Sequence, residues 1–290
     1  MVQLLESDLR TREVLEWRGV HLLHFAGSSC SQKTRIVLGL KRIEWQSHPV
    51  DLRAQENMEP WFLGINPRGL VPVLVHDGAV HIESNDIIRY IDRTFPGPRL
   101  VPPGREPDIA RLLHEEDDLH LDLRTVTMRF VFPPRMAVRP PEKLARYAAG
   151  GSGTVGGKPD ARRPVEIAFW NDLAAHGIDD ARGRTAVLRF KSHFAAFDRR
   201  LAREPYLFGE ALTLLDVAWF VYANRLVLAG YPLAALHPNL GAWFERLMAR
   251  PEFAREVAPT PAMREAIGQY RIEQVESGRS LVQVLTGRPC

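Results

Sequence analysis

The sequence is short of cysteine, of net charge and of long apolar runs, and each shortage removes a class of protein. Its 290 residues hold two cysteines, Cys30 and Cys290, at opposite ends of the chain. That is too few for a disulfide scaffold, so a reducing, cytoplasmic setting is expected. The 38 basic and 35 acidic residues are interspersed and leave a formal charge of only +3. Charge therefore offers no case for nucleic-acid binding. No stretch is long and apolar enough for a membrane span. The charged segment Met1 to Gly19 lacks the apolar core of a signal peptide. No repeat is visible.

What remains is the composition of an ordinary globular protein, 45% hydrophobic and 25% charged, with length for two domains. After a polar or helical extension over residues 1–19, Val20 to Phe25 is an apolar run entering the small-residue loop Ala26-Gly27-Ser28-Ser29. A strand ending in a tight turn is expected there. Arg35 to Leu40 carries Ile36, Val37 and Leu40 at helical spacing, and Trp45 to Leu52 reads as a second strand. The two strands would be parallel. Asn66-Pro67-Arg68-Gly69-Leu70-Val71-Pro72 turns into a third strand, with Pro72 at its entrance and a candidate cis bond before it. His76-Asp77-Gly78-Ala79 predicts a hairpin with a type I′ turn. Asn85 to Arg93 predicts a helix, with Ser84 as its N-cap.

A Pro/Gly-rich linker follows over residues 95–106, and the rest, 107–265, reads as helical. A breaker-rich insert at 133–164 interrupts it and is expected to be a long surface connection or a partly mobile insert. Thr213 and Asp216 form a capping box opening an apolar helix from Val217 to Leu228. Pro238 to Met248 predicts another helix, and 266–290 reads as a tail.

Three places carry candidate chemistry. Ser28, Ser29 and Cys30 stand at a helix start, where backbone N–H groups favour an anion. A thiolate there is stabilised by the helix end and by nearby cations such as Lys33 and Arg35. The plainer alternative is that the serines cap the helix and Cys30 is a small buried apolar side chain. Val71 and Pro72 present backbone groups able to pair with an extended peptide-like ligand, or simply shape a rigid turn. Glu83 and Ser84, at another helix start, suit an ammonium and a carboxylate, or again a plain cap. His114 and Asp118 share a helix face, but a solvated acidic surface explains them better than a metal. Trp219, Phe220, Tyr222 and Arg225 read as core. Phe130, Phe132 and Arg135 are candidates for lining a pocket.

In this order, the Ser/Cys loop, the Val-Pro pair and the Glu-Ser helix start resemble the glutathione transferase superfamily. The resemblance covers His21 to Pro103 and, more loosely, Leu207 to Phe253. Ser28-Ser29-Cys30-Ser31 with Arg35-Ile36 and Leu38-Gly39-Leu40-Lys41 is similar to the zeta class, which includes maleylacetoacetate isomerases. Cys30-Ser31-Gln32-Lys33-Thr34-Arg35 is also similar to bacterial glutathione-dependent reductive dehalogenases.

The resemblance implies an α/β plus all-α architecture: a thioredoxin-like domain over 20–94, then a C-terminal helical bundle domain. It implies glutathione as co-substrate without a metal, a small organic electrophile as second substrate, and a homodimer. It assigns thiolate activation to Ser28, support to Ser29, and to Cys30 either binding or covalent attack. Val71 would pair with the cysteinyl backbone. Glu83 and Ser84 would hold the γ-glutamyl end. Leu70 departs from the polar residue common before the Val-Pro pair. The insert would cover the second-substrate pocket.

Overall fold

A computed structural model describes residues 2–136 and 139–287. In chain order the elements are β1 (Val2–Gln3), β2 (Val20–His24), α1 (Ser29–Leu40), β3 (Gln46–Pro49), α2 (Pro60–Leu63), β4 (Val73–His76), β5 (Ala79–Ile82) and α3 (Ser84–Thr94). They continue with α4 (Glu106–Asp117), α5 (His120–Val126), α6 (Pro141–Ala149), β6 (Thr154–Val155), β7 (Lys158–Pro159) and α7 (Arg162–His176). The last are α8 (Asp180–Leu201), α9 (Leu214–Leu228), α10 (Leu233–Leu236), α11 (Pro238–Met248), α12 (Pro251–Val257), α13 (Pro261–Glu276) and α14 (Leu281–Thr286). The chain divides into two compact units, Met1–Gly97 with Val138–Ala175, and Pro98–Ala137 with His176–Cys290.

The first unit is thioredoxin-like, built on a mixed sheet in the order β1-β5-β4-β2-β3. β2 and β3 are parallel, as the strand–helix–strand pattern predicts, and β4 and β5 run antiparallel. The hairpin between them turns on Asp77 and Gly78, both at positive φ (49° and 82°), the geometry of the expected type I′ turn. Alternation splits the strands' apolar side chains between two faces. Leu23, Val73, Val75, Val80 and Ile82 join Val50, Phe62 and Ile65 in one cluster. Leu22 and Leu74, paired in register, point the other way and are fully buried. A sheet buried on both faces needs cover on both. α1 and α3 pack on each other and bury Ile36, Val37, Ile87, Ile88 and Ile91.

The N-terminal extension is more than a polar lead-in. β1 adds a fifth strand, pairing Val2 with Ile82 and Gln3 with His81, and Leu4, Leu9 and Val14 join the sheet's core. The insert also differs from a surface connection. Residues 139–175 fold as helix, hairpin and helix, and they belong to the first unit, not to the helical domain in which the sequence places them. The reason is specific docking. Leu144 and Tyr147 of α6 pack with Met58 and Leu63, with Ile167 and Trp170 of α7 against them. Buried Asp8 accepts hydrogen bonds from Thr154 Oγ1 (2.7 Å), Gly156 N (2.8 Å) and Gly157 N (3.0 Å) of the β6–β7 hairpin, and from Leu5 N (3.0 Å). Burial pushes its carboxyl up, but these donors outweigh that and hold it below the usual range. Arg10 Nε donates to Gly151 O at 2.9 Å.

The second unit is helical. α9 is buried almost throughout. Its capping box is present: Asp216 accepts from Thr213 N (2.9 Å), and also from Leu207 N (2.8 Å) and Trp243 Nε1 (3.0 Å). Trp219, Phe220, Tyr222 and Arg225 are core residues. The first helical stretch after the linker is broken near Leu119 and ends in a π turn, Thr127–Val131. The Arg129 carbonyl lies in the last turn, where carbonyls have no partner within the helix. That oxygen accepts from Tyr270 Oη (3.2 Å) and Gln274 Nε2 (3.1 Å) of α13. The expected tail is thus mostly helical up to residue 287 and tied to the unit. Phe130 is buried against Gly183, a packing role rather than a pocket lining. The Arg135 side chain and Cys290 lie outside the described residues. His114 and Asp118 make an exposed 3.9 Å pair. No described helix is long and apolar enough to cross a membrane.

Candidate functional site

Strand register brings the three candidate segments to one end of the sheet. β2 and β4 are antiparallel with Leu23 opposite Val73, so the loop after β2 and the residues before β4 share that end. β5 is antiparallel to β4 with His81 opposite Leu74, so the end of β5, and Glu83 after it, arrives there too. β2, β4 and β5 are consecutive neighbours. Two spacings between strands of about 4.8 Å each put the outer segments about 10 Å apart. Three extended residues span about the same distance.

At the first segment, Ser28 is the N-cap of α1, its Oγ accepting from Ser31 N at 3.3 Å. The capping alternative is therefore realised. It does not spend the hydroxyl proton, which remains available to an incoming anion. Ser29 opens the helix, and Cys30 follows in its first turn, half-buried and not in a disulfide. Arg35 donates to the carbonyls of Phe25 (3.3 Å) and Ala26 (3.1 Å), and Nη1 lies 3.1 Å from His24 Nδ1. Lys33 Nζ donates to Asn85 Oδ1 at 2.8 Å. These cations shape the loop and bridge α1 to α3 at the same end. Burial, with the Arg35 charge, pushes His24 down to about 4, so the ring is neutral at pH 7.

At the second segment, the Val71–Pro72 bond is cis, and Val71 lies ahead of the first ladder pair of β4. The approach to it is held by Asn66 Nδ2 donating to Leu70 O (2.7 Å) and Asn57 Nδ2 donating to Gly69 O (2.7 Å). Gly69 has φ of 61°, and a Cβ there would stand 2.8 Å from the Tyr147 ring of the insert.

At the third segment, the cap is displaced by one residue from its expected position. Glu83 occupies the N-cap at φ 69°, ψ 110°, and Ser84 is the first helical residue. A non-glycine residue in that region is strained by about 1–3 kcal/mol, a cost that clusters at functional sites. Both Glu83 oxygens are engaged: Arg68 Nη1 donates to Oε1 and Arg162 Nη1 to Oε2. Arg68 also donates to Asp160 Oδ1 through Nε (3.0 Å) and Nη2 (2.7 Å). Neither Arg162 nor Asp160 carries a signal in the sequence that marks it as a site residue. Both lie in the insert, and only its docking brings them to Glu83.

The chain resembles known proteins in sequence and in fold. The model of the glutathione S-transferase N-terminal domain matches residues 27–94, and that of the C-terminal domain matches 167–246. Ganglioside-induced differentiation-associated protein 1-like 1 of Mus musculus is 35% identical over 270 residues, which cover 81% of this chain and 72% of that protein. The tetrachloro-p-hydroquinone reductive dehalogenase of Sphingobium chlorophenolicum is 24% identical, over 81% of this chain and 94% of that enzyme. Maleylacetoacetate isomerase of Pseudomonas aeruginosa is 40% identical over a shorter stretch, 26% of this chain and 36% of the isomerase. The chain likewise spans 39% of the length of glutathione S-transferase 1 of Dianthus caryophyllus. Among solved structures, the β-etherase LigF of Sphingobium sp. strain SYK-6 has a TM-score of 0.67 at 25% identity, covering 82% of this chain and 98% of that one.

Proposed function

Because this chain belongs to the glutathione S-transferase family of enzymes, we propose that it binds glutathione across the sheet end formed by the 25–30 loop, Val71–Pro72 and Glu83–Ser84. The observation that carries the reading is the register. It sets the helix start at Ser28, the unladdered backbone of Val71 and the helix start at Glu83 side by side, an order that suits the cysteine, peptide and γ-glutamyl group of glutathione.

In this reading the Ser28 hydroxyl donates a hydrogen bond to the glutathione thiolate and so keeps the thiol ionised, and Ser29 supports the loop. The Val71 backbone pairs with the cysteinyl residue. Glu83 meets the γ-glutamyl ammonium, and Ser84 with the start of α3 meets its carboxylate. The thiolate attacks an electrophilic carbon of a small organic molecule, the new S–C bond forming as a halide or an ether oxygen leaves. The dehalogenase and etherase relatives support displacement chemistry. The half-buried, unbridged Cys30 favours a further, reductive step, in which its thiolate attacks the sulfur of the glutathionyl adduct. The carbon leaves with the electron pair and takes a proton, and a second glutathione releases the mixed disulfide. The isomerase relative supports an alternative, cis–trans isomerisation that returns glutathione unchanged. A third alternative is a binding protein without turnover. The family also implies a second copy of the chain as partner and a cytoplasmic setting.

The test is the absorbance of bound glutathione thiolate against pH. Ser28→Ala should raise the thiol's apparent pKa by about one to two units. An unchanged titration removes Ser28 from this role. No binding by the folded wild-type protein, measured by calorimetry, removes the site. Full turnover by Cys30→Ala excludes the reductive step.

A further inference from the structure

Glu83, which the proposed function gives to the ligand's ammonium, is already occupied by two arginines. They are not equivalent. The Arg68 side chain is 10% exposed and also holds Asp160, itself 2% exposed. Its main chain is pinned as well: Arg68 N donates to Asn66 Oδ1 at 3.0 Å, and its carbonyl accepts from Tyr147 Oη at 2.6 Å. Arg162 is 48% exposed and reaches Glu83 from the first turn of α7. Asp160 fixes the start of that helix, accepting from Arg163 N at 3.2 Å. The cluster therefore has a closed part, Arg68 with Asp160, and an open part, Arg162 on Glu83.

Each Glu83 oxygen already carries a cation, so a third cation would be brought against two like charges. An ammonium arriving at Glu83 meets repulsion unless one arginine leaves, and the solvent-facing one costs least to move. An α-amino acid end carries a carboxylate on the same carbon as its ammonium. The departing arginine then has a partner within reach.

We propose that Arg162, supplied by the insert, is a binding residue for the γ-glutamyl end of glutathione and acts by exchanging partners. Without ligand it pairs with Glu83. With ligand the ammonium takes Glu83 Oε2, and the Arg162 guanidinium turns to the α-carboxylate. The ion pairs balance, since one is broken and two are made, and no charge is left alone. Arg68, locked to Asp160, stays on Oε1 and holds the strained Glu83 in place throughout. The insert is thereby a specificity element, because it requires both charges of an α-amino acid end. This inference rests on the glutathione reading above.

Calorimetry on the full chain tests it, with glutathione and two analogues, one lacking the α-carboxylate (4-aminobutanoyl-Cys-Gly) and one lacking the α-ammonium (glutaryl-Cys-Gly). Arg162→Gln should weaken glutathione by about tenfold or more, the size of a lost charge-assisted contact. It should bind the analogue without the carboxylate at least as tightly as the wild type does, because that ligand gives Arg162 no new partner and the variant has no Arg162–Glu83 pair to break. Arg162→Lys should recover part of the loss, and both variants should melt as wild type. Equal loss for all three ligands, or none for glutathione, overturns the partner exchange. If glutathione binds and Glu83→Gln weakens it while Arg162→Gln does not, only this inference falls. If wild-type protein binds no glutathione, the broader reading falls with it.

Discussion

Residues 20–94 and residues 139–175 belong to one compact unit, yet they are specified in different ways. The first segment is held by pattern. Its central strands are apolar runs, its hairpin has Asp-Gly at the turn, and its helices carry apolar stripes. The second is rich in glycine, proline and charge, and only its short helices have an apolar face. It is held by contacts made at long range: Asp8 on the hairpin, Tyr147 on Arg68 and Gly69, and Asp160 on Arg68. One region folds by the sum of many local preferences, the other by a few polar groups that must find partners.

Acid should break the first region before the second. His24 and His81 both lie in 20–94, and burial, the main cause in each, pushes both rings to about 4. His81 is 1% exposed, and neither ring nitrogen has a hydrogen-bond partner among the described residues. Unfolded, each ring titrates near 6.5, so the unfolded chain takes up protons first as pH falls. Stability is intact above about pH 6.5 and declines from there toward pH 4, by about 2 kcal/mol for each ring at pH 5. Urea denaturation between pH 7 and 4.5 measures this. His81→Leu should remove about half of the slope, and an unchanged slope would show that the buried ring does not carry it.

Asp8→Ala should break the second region and spare the first. It strips partners from two turn N–H groups, a threonine hydroxyl and Leu5 N, at a cost of about 3 kcal/mol. Limited proteolysis should then cut within 150–157, while the near-ultraviolet dichroism of the remaining unit persists. Continued resistance to cleavage would mean that the apolar contacts of Leu144 and Tyr147 suffice alone.

Gly69→Ala sharpens the comparison at the point where the regions meet. Positive φ and the Tyr147 ring oppose a methyl group together, for about 1–2 kcal/mol. The cost should shrink in a Tyr147→Ala background. Additive losses in this double-mutant cycle, read from melting temperatures, would place the strain in the backbone alone.

Much of the fold is legible in the amino-acid sequence. An apolar run places β2, helical spacing places α3, and the Thr213–Asp216 box opens α9 one turn from where its apolar run begins. The three segments of the site are legible too, because each combines a helix start or strand entrance with a side chain of distinct chemistry. Less legible are the cap at Glu83 and the π turn at Thr127–Val131. A positive φ and a sixth residue in a turn leave no mark in composition.

By itself, then, the sequence determined the two-layer order of strands and helices and the Ser28, Val71 and Glu83 segments, since local periodicity and turn chemistry act over a few residues. Only the tertiary structure decided that the extension completes the sheet, that the insert joins the first unit, and that Arg162 meets Glu83. Those pairings join residues far apart in the chain, 79 positions from Glu83 to Arg162. An arginine does not announce across that distance which carboxylate it will neutralise, because its choice depends on where the chain has already brought the two charges together.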